Sequence, residues 1–121
     1  MRLGVLDVGS NTVHLQVMDA HHGSAPLAQS SFKVELRLTE YLDVSGAISA
    51  EGINKLVNAI NDVYKQASVY QLDETLAFAT SAIREATNSD EVLNQVYSTT
   101  NVELQVLSGA VEARFTFLAV R

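Results

Sequence analysis

The sequence of 121 residues contains no cysteine, a single proline and few basic residues. The lack of cysteine excludes disulfide bonds, catalysis by a thiolate and zinc sites built on cysteine. With one proline and six scattered glycines, the chain has no linker, low-complexity tract or solenoid repeat. A chain of 121 residues without a linker corresponds to one domain of ordinary size.

Positive charge and long apolar runs are also scarce. Eight lysines and arginines stand against fourteen acidic residues, which gives a net charge of −6. We therefore do not expect nonspecific binding of nucleic acid, although a local site can still accept a polyanion. No apolar run approaches the roughly 18 residues of a membrane span, and Asp7 interrupts the early apolar stretch, which argues against a signal peptide. We predict a cytoplasmic protein without membrane contact.

The hydrophobic pattern predicts an α/β domain with the element order β-β-β-α-β-α-β-α. Residues 2–8 are apolar on both faces apart from Asp7, which favours a central buried strand. The other strands are predicted over four further stretches: residues 12–19, 32–39, 75–80 and 102–107. Three of the strands are consecutive, so we expect a mixed five-stranded sheet with helices packed on it.

Three helices are predicted from caps and apolar periodicity. Ser49 is the expected N-cap of a long helix whose apolar face runs from Ile53 to Ala67. Asn88 or Ser89 caps a second helix, and a last helix begins near residue 108. This last helix reaches the end of the sequence without a glycine or asparagine stop signal, so we interpret the chain as a piece of a longer protein. The mean hydropathy of +0.10 is high, as expected of a domain with an interface face.

The turn after the first strand has the residue types of a phosphate site. Asp7 ends the strand and can hold a divalent cation or its bound water. Gly9 allows backbone N–H groups to converge on an anion, while Ser10, Asn11 and Thr12 add short polar groups. This is a suitable arrangement for phosphoryl transfer. Taken alone, the same residues also describe an ordinary hairpin turn.

Three segments together resemble the N-terminal domain of the exopolyphosphatase/guanosine pentaphosphate phosphohydrolase (Ppx/GppA) family. They are residues 7–14 (DVGSNTVH), 78–88 (FATSAIREATN) and 107–118 (LSGAVEARFTFL). The resemblance implies a ribonuclease H-like lobe of the actin, sugar-kinase and Hsp70 ATPase superfamily. Residues 1–121 would then be the N-terminal lobe of a two-lobed, Mg²⁺-dependent and homodimeric phosphoanhydride hydrolase, whose second lobe is absent from this chain. Such an enzyme removes terminal phosphate from polyphosphate or from guanosine pentaphosphate (pppGpp).

Carried over by motif, the resemblance gives roles to individual residues. Asp7 would organise the metal and its waters, and Glu112 would be the catalytic base that activates water. Six residues would bind phosphate: Gly9, Ser10, Asn11, Thr80, Ser81 and Arg84. From the residues alone, the preferred interpretation of Glu112 is an exposed acid in the first turn of a helix, and that of Arg84 is an ion pair with Glu85 or Asp90.

Two departures from the family pattern affect the expected activity. The pattern around the base usually reads Ser-Gly-x-Glu-Glu-Ala-Arg, and Val111 replaces the first glutamate here. We assign that glutamate a helix-capping role and keep Glu112 as the base. The family's second phosphate loop lies beyond the end of this sequence, so we predict that the isolated chain is catalytically inert.

Some alternatives remain open. Lys33 and Arg37 would either guide a polyphosphate chain into the cleft or form a solvated strand face. The parent protein would otherwise be an ATP-dependent kinase or ATPase lobe of the same superfamily. A third possibility is a sensor that binds polyphosphate or guanosine tetraphosphate without hydrolysing it.

Overall fold

Five strands form one mixed sheet in a computed structural model of the chain, which describes residues 2–19 and 27–106. In the order β3-β2-β1-β4-β5, β2 is antiparallel to both of its neighbours, and β4 is parallel to β1 and to β5. The predicted mixed five-stranded sheet is confirmed. The strands are β1 (Arg2–Val8), β2 (Thr12–Asp19), β3 (Leu27–Glu35), β4 (Glu74–Ala79) and β5 (Gln105–Val106).

Three α-helices accompany the sheet in the described part of the chain. They are α1 (Ala50–Ala67), α2 (Ser81–Arg84) and α3 (Ser89–Thr100), and short 3₁₀ turns cover Leu38–Tyr41 and Ser68–Tyr70. The predicted element order is thus confirmed as far as β5, with the short helix α2 in addition between β4 and α3. The predicted last helix lies outside the described residues. None of the described helices combines the length and the apolar character needed to cross a membrane.

The long helix α1 forms where its cap and its periodicity predict it. The side-chain oxygen of Ser49 accepts a hydrogen bond from the backbone N–H of Gly52 at 3.2 Å, which satisfies one of the free N–H groups of the first turn. The buried positions of α1 recur every three or four residues, including Ile53, Leu56 and Ile60. This face of α1 packs on β2, β3 and α3, and the buried residues at these contacts form the main hydrophobic core.

The prediction that β1 is buried on both faces was wrong on one of them. Leu6 and Val8 are fully or almost fully buried in the core beneath α1, but the alternate residues Leu3 and Val5 are half-buried and Asp7 is exposed. Successive side chains of a strand point to opposite faces. The described helices pack on the face that carries Leu6, so the acid at the end of the strand keeps access to water.

The third strand also ends earlier than predicted. The alternation of apolar residues continues to Leu38, but β3 stops at Glu35 because Arg37 adopts a left-handed backbone conformation with φ 53°. Leu36 and Leu38 are nevertheless buried. Apolar and polar residues therefore continue to alternate after β3 has ended, because Leu36 and Leu38 are still buried as the chain enters the 3₁₀ turn.

Candidate active site

The sequence-predicted site residues that the structure describes lie near one edge of the sheet. Strands β1, β3 and β4 run in the same direction, because β2 is antiparallel to β1 and β3 while β4 is parallel to β1. Their C-terminal ends therefore lie side by side. This edge, which we call the site edge, consists of the segments that follow the three strands: residues 9–11, 36–40 and 80–84. Ligands of open α/β sheets bind at such an edge.

The turn between β1 and β2 is closed by a backbone hydrogen bond from Gly9 N–H to the carbonyl of Thr12 at 2.9 Å. A Cβ placed on Gly9 would lie 3.6 Å from that carbonyl oxygen and 4.0 Å from Oγ1 of Thr80, which are ordinary contact distances. Packing in the described structure therefore does not require glycine here. Its missing side chain leaves the surface of the turn open to a ligand.

The same turn is held from the side by the chain that follows β3. The carbonyl of Asn11 accepts hydrogen bonds from the N–H groups of Leu36 and Arg37 at 2.7 and 3.1 Å, and the carbonyl of Ser10 accepts one from Leu38 at 2.8 Å. Ser10 is half-buried and Asn11 is exposed. The turn is thus fixed by its carbonyls, and Asn11 presents its amide to solvent.

Thr80 joins β4 to β1 at the site edge. Its polar side chain is buried. The backbone N–H and the hydroxyl of Thr80 both donate to the carbonyl of Val8, at 3.1 and 3.3 Å. A hydroxyl has one proton to donate. In this structure that proton is used to hold two strands together, so Thr80 positions the edge. Its predicted role in binding phosphate stays a prediction.

Arg84 lies on the short helix α2, which begins at Ser81 directly after Thr80. Its backbone N–H donates to the carbonyl of Thr80 at 3.0 Å, and its guanidinium Nη2 is 3.8 Å from the carboxylate of Glu85. The Arg84 side chain is 27% exposed and that of Glu85 is 74% exposed. The ion pair between Arg84 and Glu85 that the sequence predicts is therefore present, but its charged atoms are far apart and Glu85 is mostly exposed to solvent.

Asp7 is the last residue but one of β1 and lies in register between His14 of β2 and Phe78 of β4. Among the described residues, no group of three or more acidic or histidine side chains is arranged to hold a metal ion. Mg²⁺ in phosphoryl-transfer sites takes one or two carboxylates, with phosphate oxygens and water as the other ligands. One exposed carboxylate fits a metal that is shared with a phosphate substrate.

Arg37 is a feature of this edge whose conformation the sequence did not reveal. Its Nε donates to the carboxylate of Glu35, and its Nη1 lies 3.7 Å from the carboxylate of Glu40. These two acids, Glu35 foremost through its hydrogen bond, raise the pKa of the Arg37 guanidinium above its ordinary value. The sequence signal for these ion pairs was the placement of two glutamates, one two positions before Arg37 and one three positions after it.

Asn88 was predicted as an N-cap and holds that position, but its side chain makes no capping bond. It instead binds the backbone of Ile48 through two hydrogen bonds. No local sequence signal distinguishes these two uses of an asparagine that precedes a helix. The predicted base, Glu112, and the Val111 departure lie outside the described residues.

Comparison with known proteins identifies the family. The family model described as the Ppx/GppA phosphatase family matches residues 17–121. The chain belongs to the Ppx/GppA phosphatase family. Within curated proteins, the chain is 55% identical over 121 residues to Exopolyphosphatase 1 of Mycobacterium tuberculosis and equally so to Exopolyphosphatase 1 of Mycobacterium leprae. Both matches cover the whole chain but only 35% and 36% of those proteins, so the chain spans about a third of their length.

Solved structures confirm the fold of this Ppx/GppA chain. The Aquifex aeolicus family member superimposes with a TM-score of 0.87 at 24% identity, over 99% of this chain and 39% of that one. An exopolyphosphatase from Cytophaga hutchinsonii gives a TM-score of 0.85 at 24% identity, over 94% of this chain and 36% of that one. The predicted α/β fold is therefore confirmed, and it is the fold of these Ppx/GppA structures.

Proposed function

We propose that the parent protein is an exopolyphosphatase that removes terminal phosphate from inorganic polyphosphate, the 5′-phosphate of pppGpp, or both. The chain would be its N-terminal lobe. One observation supports this above the others: the segments 9–11 and 80–84 lie together at the site edge of a lobe that is 55% identical to Exopolyphosphatase 1 of Mycobacterium tuberculosis. Further support comes from the open surface at Gly9 and the partly buried guanidinium of Arg84.

The proposed reaction is hydrolysis of a phosphoanhydride bond. The turn at Gly9–Asn11 and the Arg84 guanidinium bind the oxygens of the terminal phosphate and stabilise charge as it shifts to the leaving group. Glu112 accepts a proton from water as the water oxygen bonds to phosphorus and the bridging P–O bond breaks. Mg²⁺, when bound, supplies charge neutralisation on the phosphate oxygens, and Asp7 is the residue of this chain that would hold it or its waters.

The remaining expectations belong to the same proposal. A second lobe completes the cleft and supplies the other phosphate loop, so the 121-residue chain alone is inert. The parent protein acts as a homodimer in the cytoplasm.

The test is phosphate release from long-chain polyphosphate and from pppGpp by the full-length parent protein with Mg²⁺. Glu112→Gln is expected to lower the rate by about 10²-fold or more, as is usual on loss of a general base. Glu91→Gln, which changes an exposed carboxylate of α3, is the matched control and is expected to leave the rate unchanged.

Each other outcome has a defined meaning. Equal rates for the wild type and Glu112→Gln would remove Glu112 from the mechanism. Binding of both substrates without phosphate release would overturn the hydrolase proposal in favour of a sensor. Phosphate transfer that requires ATP and an acceptor would indicate a kinase lobe of the same superfamily.

A further inference from the structure

Arg37 occupies a backbone conformation that arginine adopts reluctantly. Its φ and ψ angles of 53° and 55° lie in the left-handed region, which favours glycine or asparagine over residues with long side chains. Its N–H donates to the carbonyl of Asn11 at 3.1 Å, so the residue sits directly beside the turn that follows β1. Strained backbone at such a place points to a use for the side chain.

The ion pairs of Arg37 do not account for its presence. The side chains of Arg37, Glu35 and Glu40 are all about 60% exposed, at 59, 62 and 61%. Exposed pairs contribute little to stability, because water screens the charges and the side chains lose conformational freedom. Stabilisation of the fold is therefore a weak reason to hold an arginine in this conformation.

The geometry of the three side chains leaves part of the guanidinium available. Glu35 engages Nε, and Glu40 approaches Nη1 only to 3.7 Å, which is too long for a hydrogen bond. Among the described residues, nothing accepts a hydrogen bond from Nη2. An open depression of about 390 Å³ beside this residue is lined by Asn11, Glu35, Arg37, Thr39 and Glu40.

We propose that Arg37 binds the phosphate chain of the substrate beyond its terminal phosphate, and that the substrate displaces Glu40 from the guanidinium. The proposal rests on the proposed function. A terminal phosphate bound at Gly9–Asn11 leaves the rest of an anionic chain beside Arg37, because the two segments are joined through the carbonyl of Asn11. Phosphate oxygens match the planar donor pattern of a guanidinium and bind it more strongly than a carboxylate that makes no hydrogen bond.

Glu35 and Glu40 have different roles in this arrangement. Glu35 keeps its hydrogen bond to Nε and orients the guanidinium. Glu40 opposes the incoming anion by its charge, so its neutralisation is expected to strengthen substrate binding. Neutralising Arg37 and neutralising Glu40 are therefore expected to change KM in opposite directions.

The experiment measures kcat and KM of the full-length parent protein with long-chain polyphosphate. We expect Arg37→Gln to raise KM by about 10-fold, the usual scale for loss of one hydrogen-bonded charge pair, with a much smaller change in kcat. Glu40→Gln lowers KM. Arg37→Lys recovers part of the loss, because it restores the charge without the planar donors. The increase of KM with NaCl concentration becomes shallower in Arg37→Gln, as expected when one phosphate contact is removed.

Two further variants separate binding from folding. Lys65→Gln removes one exposed positive charge near the C-terminal end of α1 and is expected to leave KM and its salt dependence unchanged. Arg37→Gly removes the guanidinium but suits the left-handed backbone, so it is expected to raise KM without lowering the temperature of unfolding.

The results separate this inference from the function on which it rests. Phosphate release by the wild type with an unchanged KM in Arg37→Gln and Arg37→Gly would overturn the role of Arg37 and leave the proposed function standing. A similar rise of KM in Lys65→Gln would also overturn it, since the effect would then be one of net charge. No release by the wild type would overturn both proposals.

Discussion

The side-chain amide of Asn88 pairs with both backbone groups of Ile48. Its Oδ1 accepts from the Ile48 N–H at 2.8 Å, and its Nδ2 donates to the Ile48 carbonyl at 2.9 Å. The neighbouring Thr87 N–H donates to the carbonyl of Gly46 at 3.1 Å. These bonds tie the loop that precedes α1 to the junction between α2 and α3. Because Arg84 ends α2 only four positions before Asn88, they also support the helix that carries Arg84.

Replacing Asn88 with alanine is expected to lower the free energy of unfolding by about 1–3 kcal/mol, because both backbone groups of the buried Ile48 lose their partner. Urea unfolding of the protein measures this change. Asn94→Ala, which alters an exposed asparagine of α3, is the matched control and is expected to have little effect. Equal stability of the two variants would show that water replaces the amide at Ile48.

Replacing Gly52 with alanine is expected to destabilise the protein, although alanine is the better helix former by about 1 kcal/mol. The added Cβ would lie 2.6 Å from Cβ of Tyr41 and 2.8 Å from Cγ2 of Ile48. Forcing apart such contacts costs about 1–3 kcal/mol, which is at least as large as the gain in propensity. Thermal unfolding decides the sign, with Asn58→Ala on the exposed side of α1 as the control. A higher Tm for Gly52→Ala would refute this packing argument.

The carboxylate of Asp43 is expected to make stability depend on acid pH. It accepts hydrogen bonds from the hydroxyl and N–H of Ser45 at 2.5 and 2.8 Å and from the N–H of Ala47 at 3.1 Å. These bonds, that from the Ser45 hydroxyl first, hold the pKa of Asp43 below its ordinary value of 3.8. A carboxylate with a lowered folded-state pKa stabilises the fold above its unfolded pKa, and the stabilisation is lost as pH falls through the folded value.

Asp43→Asn tests this dependence because it keeps the shape and removes the charge. The wild type is expected to have the higher Tm at neutral pH, and the difference is expected to shrink as the pH falls below 3.8. Asp62→Asn, at an exposed carboxylate of α1 that accepts no hydrogen bond from the described residues, is the control. A difference in Tm that stays constant from neutral to acid pH would contradict the assignment to Asp43.

Arg84→Gln in the full-length parent protein is expected to lower kcat for polyphosphate hydrolysis by about 10²-fold, as on removal of one donor that stabilises transition-state charge. Glu85→Gln is the decisive comparison, because Glu85 is the acid paired with Arg84. If the arginine serves the reaction, Glu85→Gln leaves the rate nearly unchanged. If the ion pair alone matters, the two variants lose activity equally.

The elements governed by short-range patterns were predicted well from the sequence. The cap at Ser49 and the periodic face of α1 depend on residues three or four positions apart, and both were confirmed. The meeting of segments 9–11 and 80–84 followed from the resemblance to a family, and the parallel pairing of β1 with β4 explains it physically. The predicted helices and strands did not indicate which backbone N–H and carbonyl groups form hydrogen bonds between the segments of the site edge.

The features that escaped prediction depend on distant or unfavourable interactions. Asn88 and Ile48 are 40 positions apart, so a local rule assigned Asn88 to the helix that follows it. The left-handed conformation of Arg37 contradicts its residue type, and the continued burial of Leu36 and Leu38 concealed the end of β3. The one-sided burial of β1 depends on where α1 packs, which an apolar run does not encode.

The pairing of β1 with β4 also has a consequence for the order of folding. Residues at the start of the chain pair with residues 71 positions later, so the first strand leaves the ribosome long before its parallel neighbour is synthesised. Hairpin contacts between β1 and β2 close a short loop and form early, whereas the contact with β4 closes a much longer one. The turn at Gly9 is therefore made first, and the site edge is assembled only after residues 80–84, which follow β4, have been synthesised.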